Sequence, residues 1–175
     1  MGQLYLDQQL YSRAEKYFGQ GLKIFRNFRC EDDPDIGLCL HKFGVIKEAL
    51  FDDASALDYY LEAIHIFKNI NGFEKNVTMA SSLHNAALIY MRQSDFHSAL
   101  DCMTESLHTK LSAFGSCHRE TSESQHFLGI IYLEMKDADS AHLHLTNALN
   151  TRRECSGANH LDVARTLFGL GHTHF

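Results

Sequence analysis

Residues 128–148 read Leu128-Gly129-Ile130-Ile131-Tyr132-Leu133-Glu134-Met135-Lys136-Asp137-Ala138-Asp139-Ser140-Ala141-His142-Leu143-His144-Leu145-Thr146-Asn147-Ala148. A large–small pair is followed three residues later by an aromatic. After a polar break come a small, a large and another small residue at offsets of four and three. Offsets of three and four put side chains on one helical face. The stretch therefore encodes two helices joined by a short turn, with small residues where they approach and large ones filling the space between.

The same pattern recurs along the chain. Ala14, Ala56, Ala99 and Ala141 are 42, 43 and 42 residues apart. Four residues after each stands Phe18, Tyr60, Met103 or Leu145, and three further on Gly21, Ala63, Ser106 or Ala148. Upstream, Met1-Gly2, Phe43-Gly44, Ala86-Ala87, Leu128-Gly129 and Leu170-Gly171 recur in phase, followed by Tyr5, Lys47, Tyr90, Tyr132 and His174. Several columns sharing one period mark an internal repeat. Asp52, Asp95 and Asp137 are placed to cap each second helix. Gly72, Gly115 and Gly157 follow the second helices, where a left-handed C-terminal cap favours glycine. First helices are expected over 1–9, 36–50, 78–93, 120–135 and 161–175, and second helices over 11–29, 53–70, 96–113 and 138–155.

Composition agrees with an all-α fold. Apolar residues make up 45% of the 175 residues, enough for a substantial interior, and Pro34 is the single proline. The net charge of −6 is mild and the Lys and Arg residues are scattered, which argues against a nucleic-acid partner. Cys30, Cys39, Cys102, Cys117 and Cys155 are odd in number and show no C-x-x-C spacing, so reduced thiols and a cytoplasmic location are expected. Neither a signal peptide nor a membrane-spanning stretch is legible. Asn76-Val77-Thr78 is a sequon by chance on this reading.

The columns match the tetratricopeptide repeat, and at about 42 residues the unit resembles the long repeats of kinesin light chain rather than the usual ~34-residue form. Gly157 through Ala164 is similar to the loop that enters each light-chain repeat, and Gly115 through Ser122, with His118, is a degenerate copy. Leu161 stands where that loop usually has proline, and Lys47 sits in the tyrosine column. The resemblance implies a right-handed superhelical solenoid of antiparallel helix hairpins. It would be one array over 1–175, with repeats near 1–35, 36–77, 78–119 and 120–160 and a fifth starting at 161–175. Because the pattern opens and closes mid-hairpin, a fragment of a longer array is expected, with self-association through uncapped ends.

In that family the first helices line a concave groove. The resemblance places His41, Lys42, Val45, His84, Asn85, Leu88, Met91, His126, Phe127, Ile130, Phe168 and His172 there. Asn85 matches the groove asparagine that contacts bound peptide backbone in light-chain repeats, a role suited to an amide that donates and accepts. With ordinary pKa values near ~6.5, His41, His84 and His126 would form a file whose charge rises in mild acid. The basic clamp of some co-chaperones is missing, since His, Phe, Leu and Glu occupy those positions.

Catalytic and metal signatures are not legible. His142-x-His144 and His172-x-His174 are spaced by two, not the three or four that bring ligands onto one helical face. Cys117-His118 lacks further ligands, and Cys39 with His41 reads as two ordinary helix residues. There is no P-loop and no G-x-S-x-G elbow. The expectation is a non-enzymatic scaffold or adaptor, without metal or cofactor, that binds a peptide or partner protein and does not insert into membranes. A kinesin-light-chain-like cargo adaptor is the most specific form. The alternative is a sensor segment of a larger signalling protein, nephrocystin-like or with a nucleotide switch.

Overall fold

The structure is a computed structural model that describes residues 2–8, 10–29, 33–69, 73–157 and 160–173. Met1, Cys30, Gly72, Ala158, Asn159, His174 and Phe175 lie outside the described residues, as does the side chain of Asn76.

Every described element is an α-helix: α1 Gly2–Asp7, α2 Tyr11–Phe28, α3 Pro34–Ala49, α4 Asp53–Lys68, α5 Phe73–Arg92, α6 Phe96–Phe114, α7 Arg119–Glu134, α8 Ala138–Ser156 and α9 Leu161–His172. Most bounds fall within two residues of expectation. Helix α3 starts early because Asp33 caps it through the Asp35 amide (2.9 Å) and Pro34 occupies the first turn, where a missing N–H costs nothing. Helix α5 begins five residues before the expected start at 78.

The chain divides into two compact units, Met1–Ala86 and Ala87–Phe175. In the first, Ile36 and Leu40 of α3 pack with Ala63, Ile66 and Phe67 of α4, covered by Leu22, Phe25, Tyr59 and Met79. In the second, Ala87, Ala99, Met103, Leu107, Leu128 and Ile131 form the core. The repeat columns are the packing residues: Ala14, Ala56, Ala99, Ala141, Tyr60, Met103 and Leu145 are fully buried. A Cβ on Gly44 would lie 2.5 Å from the Tyr60 ring, and one on Gly129 would lie 2.5 Å from Leu145 Cγ. The small column is where the large residue of the following helix seats.

The turns assign the special backbone differently from expectation. After α3, the Phe51 amide donates to Glu48 O and the Asp52 amide to Lys47 O. Ser94 and Asp95 repeat this on Met91 and Tyr90, and Lys136 and Asp137 on Leu133 and Tyr132. Each is a Schellman motif, whose left-handed position usually takes glycine. Here it is held by Phe51, Ser94 and Lys136, at φ of 61°, 61° and 62°. The next residue then caps the following helix: Asp52, Asp95 and Asp137 accept from the amides of Ser55, Ser98 and Ser140 at 3.2, 3.2 and 3.0 Å. Hydrogen bonding from the Ser55, Ser98 and Ser140 side chains, and then from these amides, holds all three carboxyls below the usual range. The glycines expected to be left-handed caps, Gly115 and Gly157, instead have φ +81° with ψ of 179° and 162°. That region is essentially closed to other residues.

Candidate functional site

A cleft opens in the second unit between α7 and α9, and its construction starts with two matching entry loops. Gly115 leads to His118, whose Nδ1 accepts from the Glu120 amide (3.2 Å) at the start of α7. Gly157 leads to His160, whose Nδ1 accepts from the Asp162 amide (3.2 Å) at the start of α9. The resemblance read between these two loops is thus a shared histidine cap at the same spacing.

Arg152 of α8 then fixes α9. Its Nη1 donates to Asp162 O at 2.9 Å and to Thr166 Oγ1 at 2.5 Å, with Arg152 and Thr166 both buried. Gly169 permits close approach, since a Cβ there would meet Leu145 at 3.3 Å and Ile130 at 3.5 Å. Between the two helices remains a cleft of about 810 Å³. Ile130 and Leu133 of α7 and Leu161, Ala164 and Phe168 of α9 form its walls, with Gly169, His126, Glu134, Arg165 and His172 completing the lining. Leu161 is 62% and Phe168 73% exposed. His172 lies edge-on to Phe168 at 4.8 Å. Arg165 pairs with Asp162 at 3.4 Å.

Of the residues the sequence placed in a groove, His126, Ile130, Phe168 and His172 line this cleft. Phe127, Leu88 and Met91 are half-buried against the core of the second unit. In the first unit, Lys42 and Val45 are half-buried, while His41 and His84 are only 8% exposed. His41 Nδ1 lies 2.8 Å from Ser82 Oγ. The Ser82 hydroxyl donates to Thr78 O (3.0 Å), so its oxygen accepts from His41 Nδ1–H. The Asn85 amide donates to Tyr60 Oη at 3.0 Å, and Tyr60 donates to Glu48 Oε2 at 2.9 Å. Asn85 thus braces the α4–α5 contact of the first unit.

His41 and His126 of the histidine file do not have the ordinary pKa that a switch in mild acid requires. Burial, with a smaller contribution from Lys42, lowers His41 to about 4. Burial also lowers His126 to about 4, aided by Arg152. The His126 Nδ1 is enclosed and has no hydrogen-bond partner among the described residues. Both rings are neutral in mild acid, because the apolar surroundings disfavour the charged form.

The first turn of α9 was missed as a site. In the repeat pattern Leu161 reads only as a departure from the entry loop, and Arg165 falls in no repeat column. The signal was present in the spacing of Leu161, Ala164, Arg165, Phe168 and His172 along one helical face.

Among the described residues no group of three or more His, Cys, Asp or Glu is placed to hold a metal ion. No described helix is long and apolar enough to cross a membrane.

Residues 78–154 match the model of the tetratricopeptide repeat. No curated protein sequence matches the chain. The fold is shared with the crystal structure of BtubC (BKLC) from P. vanneervenii at 20% identity and a TM-score of 0.83, covering 99% of this chain and 68% of that one. A Podosopora anserina putative kinesin light chain with nearly identical TPR-like repeats is similar at 15% identity and a TM-score of 0.77, covering 99% and 82%. The apo form of RapI is similar at 18% identity and a TM-score of 0.78, covering 99% of this chain but 46% of that one.

Proposed function

We propose that this chain, a tetratricopeptide-repeat protein by its repeat and its fold, is a non-catalytic interaction module that holds a peptide segment of a partner protein in the α7–α9 cleft. The observation that carries this reading is the exposure of Phe168 and Leu161 on apolar walls that have room for large side chains. An aromatic left largely in water costs solvation free energy that a ligand side chain recovers by covering it. Glu134, Arg165 and His172 give the lining polar groups that set orientation. The similarity to kinesin-light-chain-type repeats favours a cargo adaptor as the specific form.

Substitution of His84 or His126 by a charged residue would be a poor test, because His84 is buried and the half-buried His126 has an enclosed Nδ1, so a new charge at either would disturb the packing as well as the cleft. Phe168→Ala leaves the core intact. In affinity capture from source-cell lysate, the wild-type chain is expected to retain a small set of proteins that Phe168→Ala loses. For a purified partner the loss should be at least about tenfold in Kd, the scale of an aromatic hot spot. Equal retention by both chains would rule out this cleft as the binding site. Motor subunits or their cargo among the lost proteins would support the adaptor form.

A further inference from the structure

The loop between α6 and α7 lies against the last turns of α8, and the Cys117 and Cys155 thiols both lie at this contact. Thr151 Oγ1 donates to Ser116 O at 3.4 Å. The Cys155 thiol contacts Cys117 O at 3.5 Å, and the Cys117 thiol contacts the carboxylate of Glu154, the neighbour of Cys155, at 3.6 Å. Both cysteines are exposed and free. An open recess of about 380 Å³, lined by Cys117, Ser116, Thr151 and Glu154, gives a small reagent access to the Cys117 sulfur. Cys39 is a different case: it is buried, and burial together with Asp35 raises its pKa, so its thiol is inert. Neither Cys117 nor Cys155 belongs to a repeat column, so the packing pattern does not require a cysteine at either position.

We propose that Cys117 and Cys155 are a modification site, forming a reversible disulfide that staples the α6–α7 loop to the C-terminal turn of α8. The thiolate of Cys117 attacks one sulfur of a low-molecular-weight disulfide, forming a mixed disulfide and releasing one thiolate. The thiolate of Cys155 then attacks Cys117 Sγ, forming the protein disulfide and releasing the second thiolate. Two protein thiols are oxidised, one small disulfide is reduced to two thiols, and the two protons pass to the released thiolates. Closure releases the weak contacts of the Cys117 thiol to Glu154 and of the Cys155 thiol to Cys117 O. The bond ties together the open ends of the α7–α8 hairpin, whose other ends are already joined by the turn at 135–137.

The test uses the full chain, reduced and then incubated with oxidised glutathione. The expected product is a monomer in which non-reducing peptide mapping links Cys117 to Cys155. Its Tm should rise by roughly 8–16 °C, as for a cross-link closing a loop of this length in a domain of this size. Dithiothreitol should reverse both changes, and Cys117→Ser and Cys155→Ser, which alter exposed positions, should fold normally and show neither. Glutathione adducts that never resolve to the internal bond would overturn the proposal. So would bridges to Cys30, Cys39 or Cys102, bridges between copies, or a cross-link that leaves the Tm unchanged.

Discussion

Replacing Gly129 by alanine adds one methyl group where α7 and α8 approach closely. The new Cβ would sit 2.5 Å from Leu145 Cγ, 2.8 Å from its Cδ2 and 3.3 Å from the backbone oxygen of Ala141. Carbon atoms pack best near 3.5–4.0 Å, so α7 and α8 must part by about 1 Å. The nearest atom is a branch point of a fully buried side chain rather than its far end, and a backbone atom stands behind it. Relief by a rotamer change is therefore small. Overpacking of this kind costs about 1–3 kcal/mol, and the upper end applies here. Alanine returns about 0.8–1.0 kcal/mol as a better helix former. The net loss is about 2 kcal/mol, or roughly 4–8 °C in Tm.

Gly171→Ala is the matched control. It lies in the same column of α9, with nothing within 4 Å of its Cβ position, so only the helix gain operates; one residue from the end of α9 it falls below the interior value of about 0.8–1.0 kcal/mol, and stability should rise slightly. Urea unfolding followed by circular dichroism reads both. Shortening Leu145 to alanine should cost 2–5 kcal/mol alone, on the order of other buried leucines, but less in the Gly129→Ala background, where the clash is removed. A Gly129→Ala protein as stable as wild type would refute the reasoning, as would destabilisation of equal size at Gly171.

Three further predictions rest on other parts of the structure. Gly115→Ala should destabilise by about 1–3 kcal/mol in urea unfolding although nothing touches the added methyl, because the φ of +81° with extended ψ is essentially closed to alanine. Phe51→Asn should stabilise by about 1 kcal/mol, since Phe51 is left-handed and 94% exposed, and asparagine tolerates that backbone better. A fall in the urea midpoint would contradict this. His41 and His126, with folded pKa values of about 4 against 6.5 unfolded, take up protons mainly when the chain unfolds. Their contribution is complete above about pH 6.5 and is lost as pH falls towards 4, by up to ~3 kcal/mol for each. Carbon-13 chemical shifts of the imidazoles that titrate near 6.5 in the folded chain would show this account to be wrong.

The helices and their pairing follow from the residue pattern, because side chains three and four apart share a helical face whatever surrounds them. The Ala14, Ala56, Ala99 and Ala141 column and its large partners are therefore legible from spacing alone. So are Asp52, Asp95 and Asp137 as caps, since a cap is satisfied by the amides two or three residues ahead of it. The left-handed turn positions were not legible. No intrinsic preference puts phenylalanine, serine or lysine there, and it is the hydrogen bonds of each Schellman motif that hold Phe51, Ser94 and Lys136 in that conformation. The state of the histidines also had to come from tertiary structure. His41, His84 and His126 share a column, but their pKa and accessibility depend on what packs over each ring. Ser82 at His41 and Phe127 beside His126 come from side chains that the repeat period does not specify, and the period asks only for a large residue where the Tyr60 ring meets His41. Local geometry can be read from one helix at a time, whereas desolvation is a property of all the neighbours together.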